Sequence, residues 1–168
     1  MQGNFTYYNP TKLHFGEGAM EHLAGELEGY GPVVMLSYGG GSIKRNGIYD
    51  AVTAALREAG KTVVEDAGVM PNPTYERVQE GCRRVRDNHV DLILAVGGGS
   101  TIDYAKAVSA SAYCEEDAWE KYWVHQGWPT CRVVPVGAVL TMVGTGSEMN
   151  GGSVITKDEG DLKWSYDN

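Results

Sequence analysis

Apolar residues along the chain follow two alternating rhythms. Short runs rich in β-branched residues, "PVVMLSY" (32–38), "KTVVEDAG" (61–68), "DLILAV" (91–96) and "RVVPVGAVLT" (132–141), have the length and composition of buried strands. Between them, "GAMEHLAGELEGY" (18–30), "IYDAVTAALREAG" (48–60) and "TYERVQEGCRRVRDNHV" (74–90) repeat apolar positions at helical spacing, and the second stops at Gly60. A further helix is expected from Ser100 to about Ala112, followed by a short helical or irregular piece, "AWEKYWVHQG" (118–127). Strands alternating with helices in this way predict an α/β fold, a parallel sheet with helices on both faces, in one domain over 1–168. Two segments stand outside the alternation. "FTYYNPTKLHFG" (5–16), aromatic and interrupted by Pro10, reads as an edge strand, and "GGSVITKDEGDLKWSYDN" (151–168) as a β-hairpin turning at "KDEGD".

Composition narrows the function classes. Hydrophobic residues make up 42% and charged residues 21%, the balance of a globular protein, and a formal net charge of −8 argues against a nucleic-acid partner. No apolar stretch reaches the roughly 20 residues that cross a bilayer, and "MQGNFTYYNP" has neither a basic nor an apolar leader segment, so no membrane partner and a cytoplasmic location are expected. Cys82, Cys114 and Cys131 are widely spaced, which points to free thiols. His14, His22, His89 and His125 are each isolated and none is assigned to a metal. Trp119, Tyr122, Trp123 and Trp128 lie close in sequence and are expected to pack in a core or groove.

The chemistry-bearing pattern is glycine at strand ends. "SYGGGSIKRNG" (37–47) and "AVGGGSTIDYAK" (95–106) each set three glycines and a serine between a strand and a helix, and "TMVGTGSE" (141–148) follows another strand. Glycine lets backbone N–H groups approach a ligand, and a helix start concentrates positive partial charge, so phosphate is the natural guest; steric need for a tight turn explains one such run equally well. Neither run is a GxGxxG fingerprint or a GxxxxGK[ST] loop. Asp103 and Lys106 lie near one face of the helix the second run opens, where Asp103 suits the helix dipole. Asn72, in "MPNPTY" (70–75), suits either a helix cap or a ligand contact.

"GGGSTIDYAK" with "TMVGTGSE" some forty residues on resembles the iron-containing (group III) alcohol dehydrogenases, and "LSYGGGSIKRNGIYD", "MPNPTYE" and "GDLKW" are most similar to their NADPH-dependent butanol dehydrogenase branch. The resemblance runs over nearly the whole chain. It implies a Rossmann-like nucleotide domain, followed in the family by an all-helical domain that is absent here and carries a divalent metal, Fe2+ or Zn2+, on one aspartate and three histidines. By the same resemblance, Gly98, Gly99 and Ser100 hold the cofactor pyrophosphate and Asp103 lies by the nicotinamide. Thr141 and Thr145 contact the adenosine half and the phosphates, and Asn72, Asn150 and Lys163 are further contacts. Family members that prefer NAD place an aspartate near position 40. Here Gly39, Gly40, Gly41 and Ser42, with Lys44 and Arg45 close by, favour NADP(H). The implied reaction is hydride transfer between NADPH and a small aliphatic aldehyde, or the reverse from an alcohol, with this chain supplying the cofactor half and inactive alone. A noncatalytic dinucleotide-binding or assembly module is the alternative. Pairing of residues 5–16 across a two-fold axis implies a homodimer.

Overall fold

The structure is a computed structural model that describes residues 4, 6, 8–157 and 162–167. Four parallel strands, β1 (Val33–Tyr38), β2 (Thr62–Ala67), β3 (Leu92–Gly97) and β4 (Val136–Leu140), lie in the order β2-β1-β3-β4. Helix α1 (Leu23–Leu27) precedes the sheet; α2 (Ser42–Arg45) and α3 (Ile48–Glu58) connect β1 to β2, α4 (Tyr75–Asp87) connects β2 to β3, and α5 (Gly99–Ser111) leaves β3. A right-handed twisted sheet of this order needs a helical layer on each face. One layer buries Leu27, Val52 and Leu56 against Val34, Leu36, Leu92 and Leu94. The opposite layer buries Val78, Val85, Ile102 and Val108 against Met35, Ile93 and Ala95. The alternation of Met35 and Leu36, or of Ile93 and Leu94, between the two layers is the period-2 geometry of a strand buried on both sides.

Helix α5 is buried around most of its circumference, because a second, two-stranded antiparallel sheet packs over it: β5 (Ser153–Lys157) with β6 (Leu162–Tyr166). This is the expected hairpin; its turn lies outside the described residues. A single π-helical turn, Trp119–Val124, stacks Trp119 on Trp123 at 5.6 Å, and Trp123 Nε1 donates to Ser153 O at 3.3 Å. Trp119, Tyr122 and Trp123 are core residues, whereas Trp128 is exposed.

Two expectations are corrected. The described part of 5–16 carries no strand; Phe5 and Tyr7 lie outside the described residues. Pro10 has no N–H to give a ladder, and the polar groups of the segment are engaged otherwise: Asn9 Nδ2 donates to Met149 O at 2.8 Å, Asn9 Oδ1 accepts from Thr11 N at 2.9 Å, and Lys12 and His14 pair with Glu26. The strand expected over 132–141 is confined to Val136–Leu140, since Pro135 also lacks a donor; its carbonyl accepts from Ile93 N at 2.9 Å.

Candidate dinucleotide site

Parallel strands end together, and here their carboxyl ends gather all three glycine turns on one rim. Tyr38 lies opposite Val96 and Val96 opposite Val139, so the turns after β1, β3 and β4 begin at neighbouring levels. Between β1 and β3 the strand order reverses, the position where open parallel sheets form ligand crevices.

After β1, Gly39 is close-packed: a Cβ there would stand 3.2 Å from Val69 O. Gly40 and Gly41 face open space, and Gly41 has φ +95°, a conformation glycine adopts without a steric penalty. Ser42, exposed, starts α2. Beside it, Lys44 Nζ sits 5.1 Å over the Tyr38 ring and 4.6 Å over the Tyr49 ring, and both phenols donate to Glu65, Tyr38 at 2.8 Å and Tyr49 at 2.5 Å. The hydrogen bond to Glu65, reinforced by burial, pushes the Tyr49 phenol up to about 12. Both carboxylate oxygens of Glu65 are engaged by these phenols.

After β3 the same four letters make a different object. A Cβ on Gly97 would collide with Thr101 Oγ1, and one on Gly99 with Thr145 Oγ1 of the third turn. Thr101 N and Ile102 N make the first bonds of α5, to Gly98 O at 3.0 and 3.2 Å, so the N–H groups of Gly99 and Ser100 precede the intrahelical ladder and are donors at its positive end. Bare backbone and amides at a helix start, at the point where the strand order reverses, suit an anionic group such as a pyrophosphate. In the third turn Thr141 N donates to Gly97 O at 2.9 Å, Thr145 Oγ1 meets Ser147 Oγ at 2.7 Å, and Met142 and Val143 are exposed.

The remaining predicted residues prove to be cross-braces. Asp103 does not cap its own helix: its Oδ2 accepts from Val154 N at 3.2 Å and its backbone oxygen from Ser153 Oγ at 2.8 Å, fastening α5 to β5. Asn72 is not a cap either; Thr74 Oγ1 takes Arg77 N at 3.3 Å in that role. Asn72, at φ +52°, instead accepts from Lys163 Nζ on β6 at 2.7 Å, bringing together two residues 91 positions apart. Asn150 donates to Gly146 O at 2.9 Å and accepts from Gly152 N at 2.9 Å, shaping the third turn from within.

Sequence reasoning did not assign a site role to Lys106 or Ser147. Lys106 Nζ donates to Ser147 O at 2.9 Å, Asn150 O at 3.2 Å and Asn150 Oδ1 at 3.1 Å, with Asp103 Oδ1 at 3.6 Å; burial lowers its pKa against the opposing pull of Asp103. The signal in the sequence was the three-residue step from Asp103 to Lys106, which puts both on one helix face. Also unforeseen is a buried charge cluster below the rim. Asp66 accepts from Ser37 Oγ at 2.9 Å and pairs with Arg77 and with Arg84 Nε at 3.2 Å; Arg77 donates to Tyr104 Oη at 2.9 Å. Among the described residues no group of three or more His, Cys, Asp and Glu side chains is placed to hold a metal ion, and no helix is long and apolar enough to cross a membrane.

Residues 10–168 match the iron-containing alcohol dehydrogenase family. The chain is 50% identical over 163 residues to probable NADH-dependent butanol dehydrogenase 1 of Bacillus subtilis, covering 97% of this chain and 42% of that protein. It is 39% identical over 155 residues to the NADPH-dependent aldehyde reductase YqhD of Escherichia coli, covering 92% and 39%. The crystal structure of NADH-dependent butanol dehydrogenase A from Thermotoga maritima superposes with a TM-score of 0.89 at 40% identity, over 98% of this chain and 41% of that one. The chain thus spans about two fifths of the length of the relatives it matches, and it belongs to the iron-containing alcohol dehydrogenase family.

Proposed function

We propose that the chain is the cofactor-binding half of a metal-dependent alcohol dehydrogenase or aldehyde reductase of the cytoplasm, using NADP(H) and a small aliphatic aldehyde or alcohol. One observation carries this reading: three glycine turns converge on the carboxyl rim of one parallel sheet, and the first of them contains no acid. When bound, the reduced nicotinamide supplies the hydride. The chain's own residues hold and orient it. Amides of Gly99 and Ser100, with Gly98 keeping the approach open, neutralise the pyrophosphate. Thr141 and Thr145 line the facing turn, and Asp103, Asn150 and the Asn72–Lys163 pair fix the walls.

The relatives' names include both NADH and NADPH, so the preference rests on the first turn. Gly40 and Gly41 leave space, and Ser42 a hydroxyl, where an aspartate would repel a 2′-phosphate, Gly39 packs the turn against Val69 O, and Lys44 adds a cation held between two phenol rings. Each charge-assisted hydrogen bond to that phosphate contributes about 1.5–3 kcal/mol. NADPH should therefore bind tighter than NADH; equal or tighter NADH binding would remove the preference.

The described residues do not fit the family's metal, so the proposal routes no step through one within this chain. A chimera in which the remaining length of the Bacillus subtilis relative follows residue 168 should reduce butanal with NADPH once Fe2+ or Zn2+ is added, while the chain alone should not. A chimera that folds and binds NADPH without oxidising it would favour a noncatalytic dinucleotide-binding module. The exposed side chains of Tyr8, Leu13 and Phe15 support a homodimer contact through residues 5–16, which a sedimentation measurement checks.

A further inference from the structure

We propose that Lys106 is a positioning residue that sets the distance between the second and third glycine turns and thereby the fit of the pyrophosphate; the inference rests on the dinucleotide reading above. Helix α5 carries the second turn at its start and Lys106 two turns further along. The ammonium has three donors, and within 3.2 Å it finds three acceptors, all on the third turn: Ser147 O, Asn150 O and Asn150 Oδ1. Its side chain is largely buried and its bond to Ser147 O is partly shielded from water, where a charged donor binds more strongly than at a surface, while its two bonds to Asn150 are exposed. A fourth acceptor, Asp103 Oδ1, is left at 3.6 Å with no hydrogen bond of its own, which shows the ammonium drawn toward the turn rather than toward its helical neighbour.

The clamp reaches the phosphate end through two contacts. Ser147, whose carbonyl Lys106 holds, bonds Thr145 Oγ1 through its own hydroxyl at 2.7 Å, and Thr145 Oγ1 occupies the space a Cβ on Gly99 would need. Lys106, Ser147, Thr145 and Gly99 therefore form one closed circuit, with the helix backbone as its fourth side. Opening it at Lys106 lets the third turn drift from the helix start while the Gly99 and Ser100 amides keep their places at the head of α5. The turn after β1 lies outside the circuit.

That asymmetry gives the test. Binding of NADPH, whose pyrophosphate crosses both turns, and of adenosine 2′,5′-bisphosphate, which has no pyrophosphate, is measured by calorimetry for the wild-type chain and for Lys106→Met, with the melting curve of each recorded. Lys106→Met should weaken NADPH at least tenfold and the bisphosphate, which keeps only one of the two pyrophosphate phosphates, by no more than about threefold. Ser147→Ala, which cuts the same circuit at its hydroxyl bond to Thr145 Oγ1, should give the same split, and the double variant should lose no more than the worse single one, because both cut one circuit. Unchanged NADPH affinity in Lys106→Met, equal loss of both ligands with an intact melting curve, or additive losses in the double variant would each overturn the inference. Should Lys106→Met not fold, the split in Ser147→Ala decides, and its absence counts against the clamp. A wild-type chain that binds neither ligand would overturn the dinucleotide reading itself.

Discussion

The turns after β1 and β3 share the letters GGGS and do opposite things with them. In the first, Gly40 and Gly41 face empty space, the helix that follows is only Ser42–Arg45, and the surroundings are a lysine between two phenols. In the second, Gly97 and Gly99 are glycines because Thr101 and Thr145 leave no room for anything larger, and the helix that follows is the 13-residue α5, buried under a hairpin. One run is open at Gly40 and Gly41, the other a packed joint whose amides are held by what surrounds them. A motif fixes backbone freedom; its neighbours decide whether that freedom serves packing or binding.

The sharpest way to break this comparison is Gly99→Ala. Its methyl would displace Thr145 Oγ1 from its bond to Ser147, at a cost of about 1–3 kcal/mol in stability and, because the pyrophosphate donors move with it, roughly tenfold or more in NADPH affinity. Denaturant melts and calorimetry read the two effects, and an unperturbed variant would show that the joint is not packed. Next comes Gly40→Asp in the open turn. No atom lies within 4 Å of the new Cβ, so the melting temperature should hold while NADPH loses about 2 kcal/mol relative to NADH, a factor of roughly thirty in the ratio of their Kd values. Gly41→Ala, at φ +95°, should cost about 1 kcal/mol of stability from backbone strain alone.

The smallest effect concerns the phenols flanking the first turn. Tyr49 has its pKa raised from 10.0 to about 12, first by its bond to Glu65, so the protonated form is the one the fold favours. The stability it contributes is complete below pH 10 and drains as pH rises through about 12. Tyr49→Phe should accordingly lower stability by roughly 0.5–1 kcal/mol at pH 8, a deficit that closes in the alkaline limb of a pH-dependent melt. A deficit constant to high pH would mean that packing, not the hydrogen bond, is what the hydroxyl supplies.

Much of this arrangement was legible in the sequence because it is local. β-Branched runs gave β1, β2 and β3, helical periodicity gave α3 and α4, and the glycine runs marked the rim. What could not be read shares one cause: partners far away in sequence. Nothing near Asn72 announces that it meets Lys163, and nothing near Asp103 announces that β5 will take its carboxylate away from its own helix start. The edge strand over 5–16 looked right by composition, yet a strand requires a neighbour's ladder, and Asn9 was already engaged with Met149, 140 positions on. Lys106 is the clearest case. Its i, i+3 relation to Asp103 puts both on one helix face, yet at 3.6 Å that pair is the longest of its polar contacts, and the shorter ones reach Ser147 and Asn150 some forty positions on.

The account stands or falls on whether the rim binds a dinucleotide through its phosphates. Titrating NADPH into the chain by calorimetry, alongside the Gly99→Ala variant, should give saturable one-site binding in the wild type and at least a tenfold weaker constant in the variant. No binding heat from wild-type chain that melts cooperatively, or identical constants for the two proteins, would contradict it.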